Sequence, residues 1–231
     1  LIHGAWHGGW VWNEISDILR YQRYSVSTPT LTGLGEKKHL LSSKITIETF
    51  IEDVVNHIIF ENLNNIILVG HSFAGSVISG VADKLKDRIQ KLIYFDAMIL
   101  IDGQKPFDIT PKETVEQRIE LAKKFGNNIS IPAPSADAFG VFDIKKSLLL
   151  EEKLTPHPLS AFQSKLILKN EVGNGIPLSY IFCTKPVYKS LESSREVVRK
   201  MKWPIFELNA GHDAMLTHPK ETLNLLMKIC N

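Results

Sequence analysis

The sequence of 231 residues has little cysteine, and this absence already excludes some classes of protein. Its two cysteines, Cys183 and Cys230, lie far apart and lack the spacing of a zinc site or of a disulfide framework. Free, buried thiols are typical of a reducing compartment, so we expect a cytoplasmic location. The sequence predicts no metal site and no cofactor.

Long apolar runs and one-sided charge are also missing. No apolar stretch approaches the ~20 residues of a membrane span, and no signal peptide is visible in the sequence. With 27 basic and 25 acidic residues the net charge is +2, and no cluster of lysine or arginine stands out. Neither nucleic acid nor a membrane surface is therefore an expected partner. The expected partner is a small molecule, and a homodimer is left open.

The stretch from Asn65 to Ala82 predicts a buried strand, a tight turn and a buried helix in direct succession. The turn reads Gly-His-Ser-Phe-Ala, with Ser72 at its apex. This is the context of a nucleophile elbow, whose motif is G-x-S-x-G. Gly70 fills the first small position, and Ala74 stands where the motif has its second glycine. We interpret the alanine as a tolerated variant because it is also small.

Strands and helices alternate through the rest of the chain, with one interruption. Further strands are predicted at residues 1–3, 24–27, 91–95, 178–183 and 205–208. Helices are predicted at residues 10–21, 46–61, 114–125, 142–153, 158–169, 191–201 and 219–230. Residues 98–175 carry no strong strand pattern. We therefore predict an α/β fold with a mostly parallel sheet, formed by residues 1–97 and 176–231, and a helical cap formed by residues 98–175.

Polar residues follow the predicted strands in an order that suits acyl transfer. Ligands of a parallel sheet bind beyond the carboxyl ends of its strands, and Ser72, Asp96 and His212 each follow such a strand. This pattern predicts a serine nucleophile, a histidine base and an acid that orients the base. The backbone nitrogens of Phe73 and of Ala5, in the glycine-rich turn after the first strand, are the predicted oxyanion donors.

A set of large apolar residues near these strand ends could line an acyl pocket, although core packing is the better explanation for most of them taken singly. The candidates are Trp6, Met98, Phe107, Phe139, Phe142, Phe162 and Met215. His3, His7 and His71 are predicted to be structural, and Asp213 to be a loop or helix-start residue and not a second acid.

The same residues carry a family resemblance. The segments 3–10, 29–36, 70–72, 96–97 and 211–215 together resemble the α/β-hydrolase superfamily. More narrowly, the chain is similar to the EstC-type and pyrethroid-hydrolase-like small carboxylesterases, which are relatives of plant methylesterases and hydroxynitrile lyases. The resemblance implies the α/β-hydrolase fold, Ser72 as nucleophile, His212 as base, and the nitrogens of Ala5 and Phe73 as oxyanion hole.

The acid is where the chain departs from the family. Plant members place it on the loop after the strand that corresponds to residues 180–183, and here that position holds Pro186. The acid must therefore come from elsewhere. Asp96, which follows the strand after the elbow, is the first choice, and Glu192 is the alternative.

The leading hypothesis is a cofactor-independent serine carboxylesterase for small, largely apolar esters. The first alternative is a hydroxynitrile lyase, in which the family has threonine and lysine near the positions of Ala5 and Asp213. The second alternative is a non-hydrolytic receptor for a small ligand, against which the intact pair of Ser72 and His212 argues.

Overall fold

The computed structural model describes residues 1–230 and is built around a parallel sheet of four strands. In chain order the strands of these residues are β1 Ile66–His71, β2 Ile89–Phe95, β3 Ser130–Ile131, β4 His157–Pro158, β5 Leu178–Cys183 and β6 Ile205–Leu208. Strands β1, β2, β5 and β6 form the main sheet in that order. The short strands β3 and β4 pair antiparallel, apart from the main sheet.

Helices connect the strands and cover both faces of the sheet. They are α1 Asn13–Tyr21, α2 Ile47–Phe60, α3 Ala74–Lys84, α4 Pro106–Ile109, α5 Lys112–Phe125, α6 Ile144–Lys153, α7 Leu159–Gln163, α8 Glu192–Lys200, α9 Ala214–Thr217 and α10 Pro219–Cys230. Short 3₁₀ turns occupy Gly9–Trp12, Gly35–Leu40, Lys86–Arg88, Ala136–Phe139 and Lys189–Leu191. Strands alternate with helices around a parallel sheet, as the sequence predicted.

Each face of the sheet carries its own apolar layer, because successive side chains of a strand point to opposite faces. On β2, Leu92 and Tyr94 belong to the layer that includes α2 and α3. Ile93 and Phe95 belong to the layer that includes α1 and α10. All four side chains are fully buried, and each such burial stabilises the fold by about 1.5–3 kcal/mol.

Three predicted elements differ from the structure. The strand predicted at residues 1–3 is reduced to one parallel bridge between Ile2 and Gly70, and residues 24–27 form no strand within the described chain. The helix predicted at residues 158–169 is limited to α7. It ends early because the next backbone groups bond elsewhere: Leu166 N donates to Gln104 O at 2.8 Å and Leu168 N to Asp102 Oδ1 at 2.8 Å.

The main sheet positions the site at the carboxyl ends of its strands. Ser72 directly follows β1, Asp96 directly follows β2, and His212 lies in the loop after β6. Ala5 lies in the turn just after the Ile2 bridge to β1. Among residues 1–230, the search for a helix with the length and apolar character needed to cross a membrane found none.

Candidate active site

Ser72 sits on a strained turn that requires small neighbours. Its φ of 55° is in the left-handed region, which costs a residue with a side chain of order 1–3 kcal/mol. A Cβ at Gly70 would lie 2.7 Å from Ala74 O, so that position tolerates only glycine. The side chain of Ala74 is fully buried and fits the second position of the motif. The structure therefore accommodates the alanine that departs from G-x-S-x-G.

Two further glycines, Gly75 and Gly4, allow other segments to pack closely against the elbow, a requirement that the G-x-S-x-G motif does not show. A Cβ at Gly75 would lie 2.2 Å from Met98 O, so helix α3 is docked tightly against the segment that follows β2. A Cβ at Gly4 would lie 2.7 Å from the Cβ of Ser72. The turn after the Ile2 bridge thus passes directly beside the serine.

The three residues predicted from the strand ends meet in one hydrogen-bonded row. His212 Nε2 lies 2.9 Å from Ser72 Oγ, and His212 Nδ1 lies 2.7 Å from Asp96 Oδ2. Asp96 and His212 are almost completely buried, whereas Ser72 is 9 % exposed. Because a carboxylate can only accept, Nδ1 carries a proton, and Nε2 is left to accept the hydrogen bond of the serine hydroxyl.

The second oxygen of Asp96 is held by groups that the sequence did not single out. Arg195 Nη2 donates to Asp96 Oδ1 at 2.9 Å, and Cys183 N donates to the same oxygen at 3.4 Å. Arg195 lies on α8 and is only 2 % exposed. This arginine balances the buried negative charge and fixes the carboxylate plane toward His212.

The alternative acid, Glu192, is not in the row. It lies at the start of α8, half-exposed, where it accepts hydrogen bonds from Arg199 at 2.8 Å and Arg195 at 3.4 Å. The hydrogen bond from Arg199 is the main reason that its pKa is lowered. Glu192 therefore contacts the arginine that holds Asp96, and it does not contact His212.

The two predicted oxyanion donors lie on the turns beside the serine. Within residues 1–230, neither Ala5 N nor Phe73 N is engaged in a backbone hydrogen bond. The next residue, Trp6, has a φ of 66° and donates its N–H to His157 Nδ1 at 3.4 Å. His157 is a site residue that sequence analysis missed, because it comes from the distant strand β4. Burial lowers its pKa well below 6.5, so it stays neutral and can accept from Trp6.

A small cavity opens above Ser72. It encloses about 290 Å³ of empty space, open solvent included. Its apolar walls are Trp6, Met98, Phe162 and Leu191, and its polar walls are Thr110, Arg118, Tyr188 and Ser190. Three of the seven predicted pocket residues are thus found at the cavity.

The other four predicted pocket residues lie elsewhere. Phe107 stacks on Phe162 from behind, with ring centroids 5.3 Å apart, and Phe139 is buried between His7 and the ring of His212. Phe142 is 68 % exposed, because it precedes α6 on the outer surface. Met215 on α9 is fully buried in the layer that includes α1 and α10. The sequence shows that these residues are large and apolar, but it does not show whether each side chain faces the cavity, the core or the solvent.

A larger groove lies at the opposite end of β1. Its walls include Leu1, Tyr24, Ile66 and Leu226. Among its described lining residues, no serine or cysteine is hydrogen-bonded to a histidine. The serine–histidine hydrogen bond lies instead at the smaller cavity, which is therefore the candidate active site.

Comparison with known proteins agrees with this geometry. The model of the alpha/beta hydrolase family matches residues 1–225. The chain is 33 % identical to the carbendazim hydrolyzing esterase of Nocardioides sp. (strain SG-4G), over 96 % of this chain and 94 % of that protein. The chain belongs to the alpha/beta hydrolase family. With the esterases it resembles, it is a carboxylic ester hydrolase.

Solved structures of this family superpose over nearly the whole chain. An extracellular alpha/beta-hydrolase from a Paenibacillus species, described as a structural and functional homologue of tobacco salicylic acid binding protein 2, is 30 % identical with a TM-score of 0.84, covering 99 % of this chain and 96 % of that one. A pyrethroid hydrolase from Sphingobium faniae JZ-2 is 19 % identical with a TM-score of 0.74, over 98 % and 94 % of the two chains, and shows the shared fold.

Two further buried histidines of this hydrolase lie beside the row, with His71 packed against His212 and His7 packed against His71. His7 Nε2 lies 2.9 Å from Asp213 Oδ2, and its Nδ1 lies 2.7 Å from Ala5 O. Burial lowers the pKa of His7, but the charge and hydrogen bond of Asp213 outweigh it and raise the pKa above 6.5. Burial and the neighbouring His212 lower the pKa of His71 well below 6.5. Asp213 stands at the start of α9, which is one of its two predicted places, and it is also the buried partner of His7.

One group of side chains has the proximity that a metal site would need. The ligand atoms of His71, His212 and Asp213 lie within 4.8 Å of one another. However, His71 Nε2 donates to His212 O at 3.0 Å, and both nitrogens of His212 are engaged by Asp96 and Ser72. His71 Nε2 and both nitrogens of His212 are therefore committed to hydrogen bonds. Asp213 Oδ1 has no hydrogen-bond partner among the described residues, but a group in which His212 has no nitrogen left to face a cation does not fit a metal site.

Proposed function

We propose that this hydrolase is a serine carboxylesterase that acts on small, largely apolar esters through a covalent acyl-enzyme. The observation that carries the proposal is the row in which His212 links the hydroxyl of Ser72, at 2.9 Å, to the carboxylate of Asp96, at 2.7 Å. The small cavity with its aromatic walls supports the substrate class.

In the acylation step, Ser72 Oγ attacks the ester carbonyl carbon while its proton passes to His212 Nε2. Asp96 stabilises the imidazolium that forms. The N–H groups of Ala5 and Phe73 stabilise the negative oxygen of the tetrahedral intermediate, each by roughly 3 kcal/mol. Collapse of the intermediate transfers the proton from Nε2 to the leaving alcohol and leaves Ser72 acylated.

In the deacylation step, water takes the place of the alcohol. His212 Nε2 removes one proton from the water as its oxygen attacks the acyl carbon, and it then returns the proton to Ser72 Oγ. The products are a carboxylic acid and the free enzyme, so the cycle consumes one ester and one water without a cofactor.

We also propose that residues 98–175 act as a cap over a core of residues 1–97 and 176–231. The support is that Thr110, Arg118 and Phe162 of this segment line the cavity at Ser72. The shape of the cap side of the cavity would then select among acyl and alcohol groups.

Labelling with a fluorophosphonate tests the proposed nucleophile. The probe should modify the wild type once, at Ser72, and should not modify Ser72→Ala. Ser190→Ala is the matched control, because Ser190 lines the same cavity without a histidine partner, and this variant should keep the label. Labelling at any other serine, or hydrolysis of p-nitrophenyl acetate by Ser72→Ala at the wild-type rate, would overturn the assignment.

A further inference from the structure

One wall of the cavity carries a cation among aromatic rings. Arg118 projects from α5 into the cavity that contains Ser72. Its guanidinium carbon lies 5.1 Å from the ring centroid of Trp6 and 4.8 Å from that of Phe162. Both distances are within the range of cation–π attraction, ~6 Å. The two rings therefore hold the guanidinium at the wall and restrict its motion.

No carboxylate balances this charge. Among residues 1–230, Arg118 forms no ion pair with an aspartate or glutamate. Arg195 offers a contrast, since it pairs with both Asp96 and Glu192. The acids nearest the site are already engaged, Asp96 with Arg195 and His212, and Asp213 with His7.

The surroundings of Arg118 leave it only partly exposed to water. Burial lowers the pKa of its guanidinium, and the neighbouring Tyr188 hydroxyl offsets only part of this effect. A desolvated charge without a counter-charge is costly. Its position at the wall of a ligand cavity means that a bound ligand can supply the missing partner.

We propose that Arg118 forms an anion subsite, and that the preferred substrates of this hydrolase are esters which also carry a carboxylate, such as half-esters of dicarboxylic acids. The guanidinium presents paired donors that match the two oxygens of a carboxylate. Tyr188 lines the same wall and can donate its hydroxyl to the ligand, whereas the Thr110 hydroxyl already donates to Pro106 O at 2.8 Å. The inference rests on the proposed esterase function and adds one charged group to an otherwise apolar substrate.

A purely structural role makes a different prediction. Arg118 could simply cover the faces of Trp6 and Phe162, as arginine often does on aromatic surfaces. Its replacement would then change the hydrolysis of all esters by the same factor. An anion subsite instead changes the ratio between charged and neutral esters.

Matched ester pairs separate the two roles. The monomethyl and dimethyl esters of succinate, glutarate and adipate would be assayed with the wild type, Arg118→Gln and Lys123→Gln. Lys123 is the control because it lies on the same helix, is exposed and has no ion pair among the described residues. For the best chain length, the wild type should have a higher kcat/KM for the half-ester than for the diester.

The expected result is a fall in this half-ester to diester ratio by about 10–100-fold in Arg118→Gln, as for the loss of a hydrogen bond to a charged group. The fall should arise mainly in KM. Lys123→Gln should keep the wild-type ratio, which excludes a general effect of net charge. A ratio in Arg118→Gln within twofold of the wild type, or a wild type that prefers every diester, would overturn the proposal.

Two further measurements keep the result interpretable. Circular dichroism reports whether Arg118→Gln folds. If the variant does not fold, the anion subsite is tested on the wild type by comparing benzoate with benzamide as inhibitors of p-nitrophenyl acetate hydrolysis. The proposal requires benzoate to bind more tightly, and equal inhibition overturns it. Labelling with a neutral fluorophosphonate separates the two proposals. If Ser72 is labelled but Arg118→Gln keeps the wild-type ratio of half-ester to diester hydrolysis, the esterase function stands and only the anion subsite is disproved.

Discussion

Two buried carboxylate–imidazole pairs lie side by side in this hydrolase, Asp96 with His212 and Asp213 with His7, at 2.7 and 2.9 Å. Their second nitrogens have different partners. His212 Nε2 faces the hydroxyl of Ser72, which can donate, whereas His7 Nδ1 faces the carbonyl of Ala5, which can only accept.

The partner of the second nitrogen decides what each pair can do. With an acceptor on both sides, both nitrogens of His7 can donate when the ring is protonated, in agreement with its raised pKa. His212 holds one proton and keeps a lone pair for the serine proton. The same two residue types thus form a buried ion pair in one place and, in the other, a pair whose imidazole can accept the hydrogen bond of the serine hydroxyl.

The comparison is tested most strongly by removing each carboxylate charge. Asp96→Asn should lower kcat by roughly 10³–10⁴ with little change in KM, because His212 loses the acceptor that fixes its tautomer. Asp213→Asn should lower kcat far less, since His7 does not touch Ser72. Steady-state kinetics on p-nitrophenyl acetate measure both. Equal losses of kcat in the two variants would remove the distinction between the pairs.

Removing the arginine behind Asp96 should have an intermediate effect. Arg195→Met leaves Asp96 with His212 but without its 2.9 Å ion pair. We expect kcat to fall about 10–100-fold, as for a lost hydrogen bond to a charged group, with KM nearly unchanged because Arg195 does not line the cavity. Leaving a buried charge unpaired should also destabilise the fold, by about 3–5 kcal/mol.

Arg199→Met is the matched control, because Arg199 pairs with Glu192 on the surface and not with Asp96. Thermal unfolding followed by circular dichroism gives the stability of both variants. A normal kcat in folded Arg195→Met would mean that Asp96 is positioned by its backbone alone.

The smallest expected effect is on the pH dependence of the unfolding free energy. His3 and His7 contribute to it with opposite signs, because the pKa of His3 is lowered and that of His7 is raised. Burial lowers the pKa of His3 from 6.5 to about 3, so the unfolded chain binds a proton that the folded chain does not. Its contribution to stability is present above pH ~6.5 and is lost as the pH falls toward 3, by about 1.4 kcal/mol per pH unit. The raised pKa of His7 gives stability that is present below pH ~6.5 and is lost as the pH rises.

Urea unfolding at pH 5, 6.5 and 8 measures these slopes. His3→Gln should lose part of the decrease in unfolding free energy between pH 6.5 and 5. His7→Gln should alter the slope between pH 6.5 and 8 instead. A slope between pH 5 and 6.5 that His3→Gln does not change would mean that His3 is protonated in the folded state.

The sequence predicted those parts of the site that depend on local order along the chain. Ser72 follows from its strand–turn–helix context, and Asp96 and His212 follow from their places after strands whose carboxyl ends must meet. The hydrogen-bond geometry has the predicted form, while the catalytic roles remain predictions for the variants above.

The groups that sequence reasoning missed come from distant segments. Arg195 reaches Asp96 across 99 positions of the chain, and His157 reaches Trp6 across 151. No local pattern marks such contacts, because only the packed fold brings the partners together. Phe142 was misassigned for a related reason, since apolar spacing does not show whether a residue at the edge of a helix faces the cavity or water.

The turn that carries Ala5 is tied to residues 98–175, the proposed cap, by Trp6. Its indole N–H donates to Ile131 O at 3.0 Å, and its own carbonyl accepts from Thr155 N at 2.9 Å. A chimaera that exchanged residues 98–175 for the cap of another hydrolase would therefore also exchange two supports of the oxyanion turn. A new segment would have to place backbone groups where Ile131 O and Thr155 N now lie, in addition to changing the selectivity. The two regions therefore cannot be exchanged independently of each other.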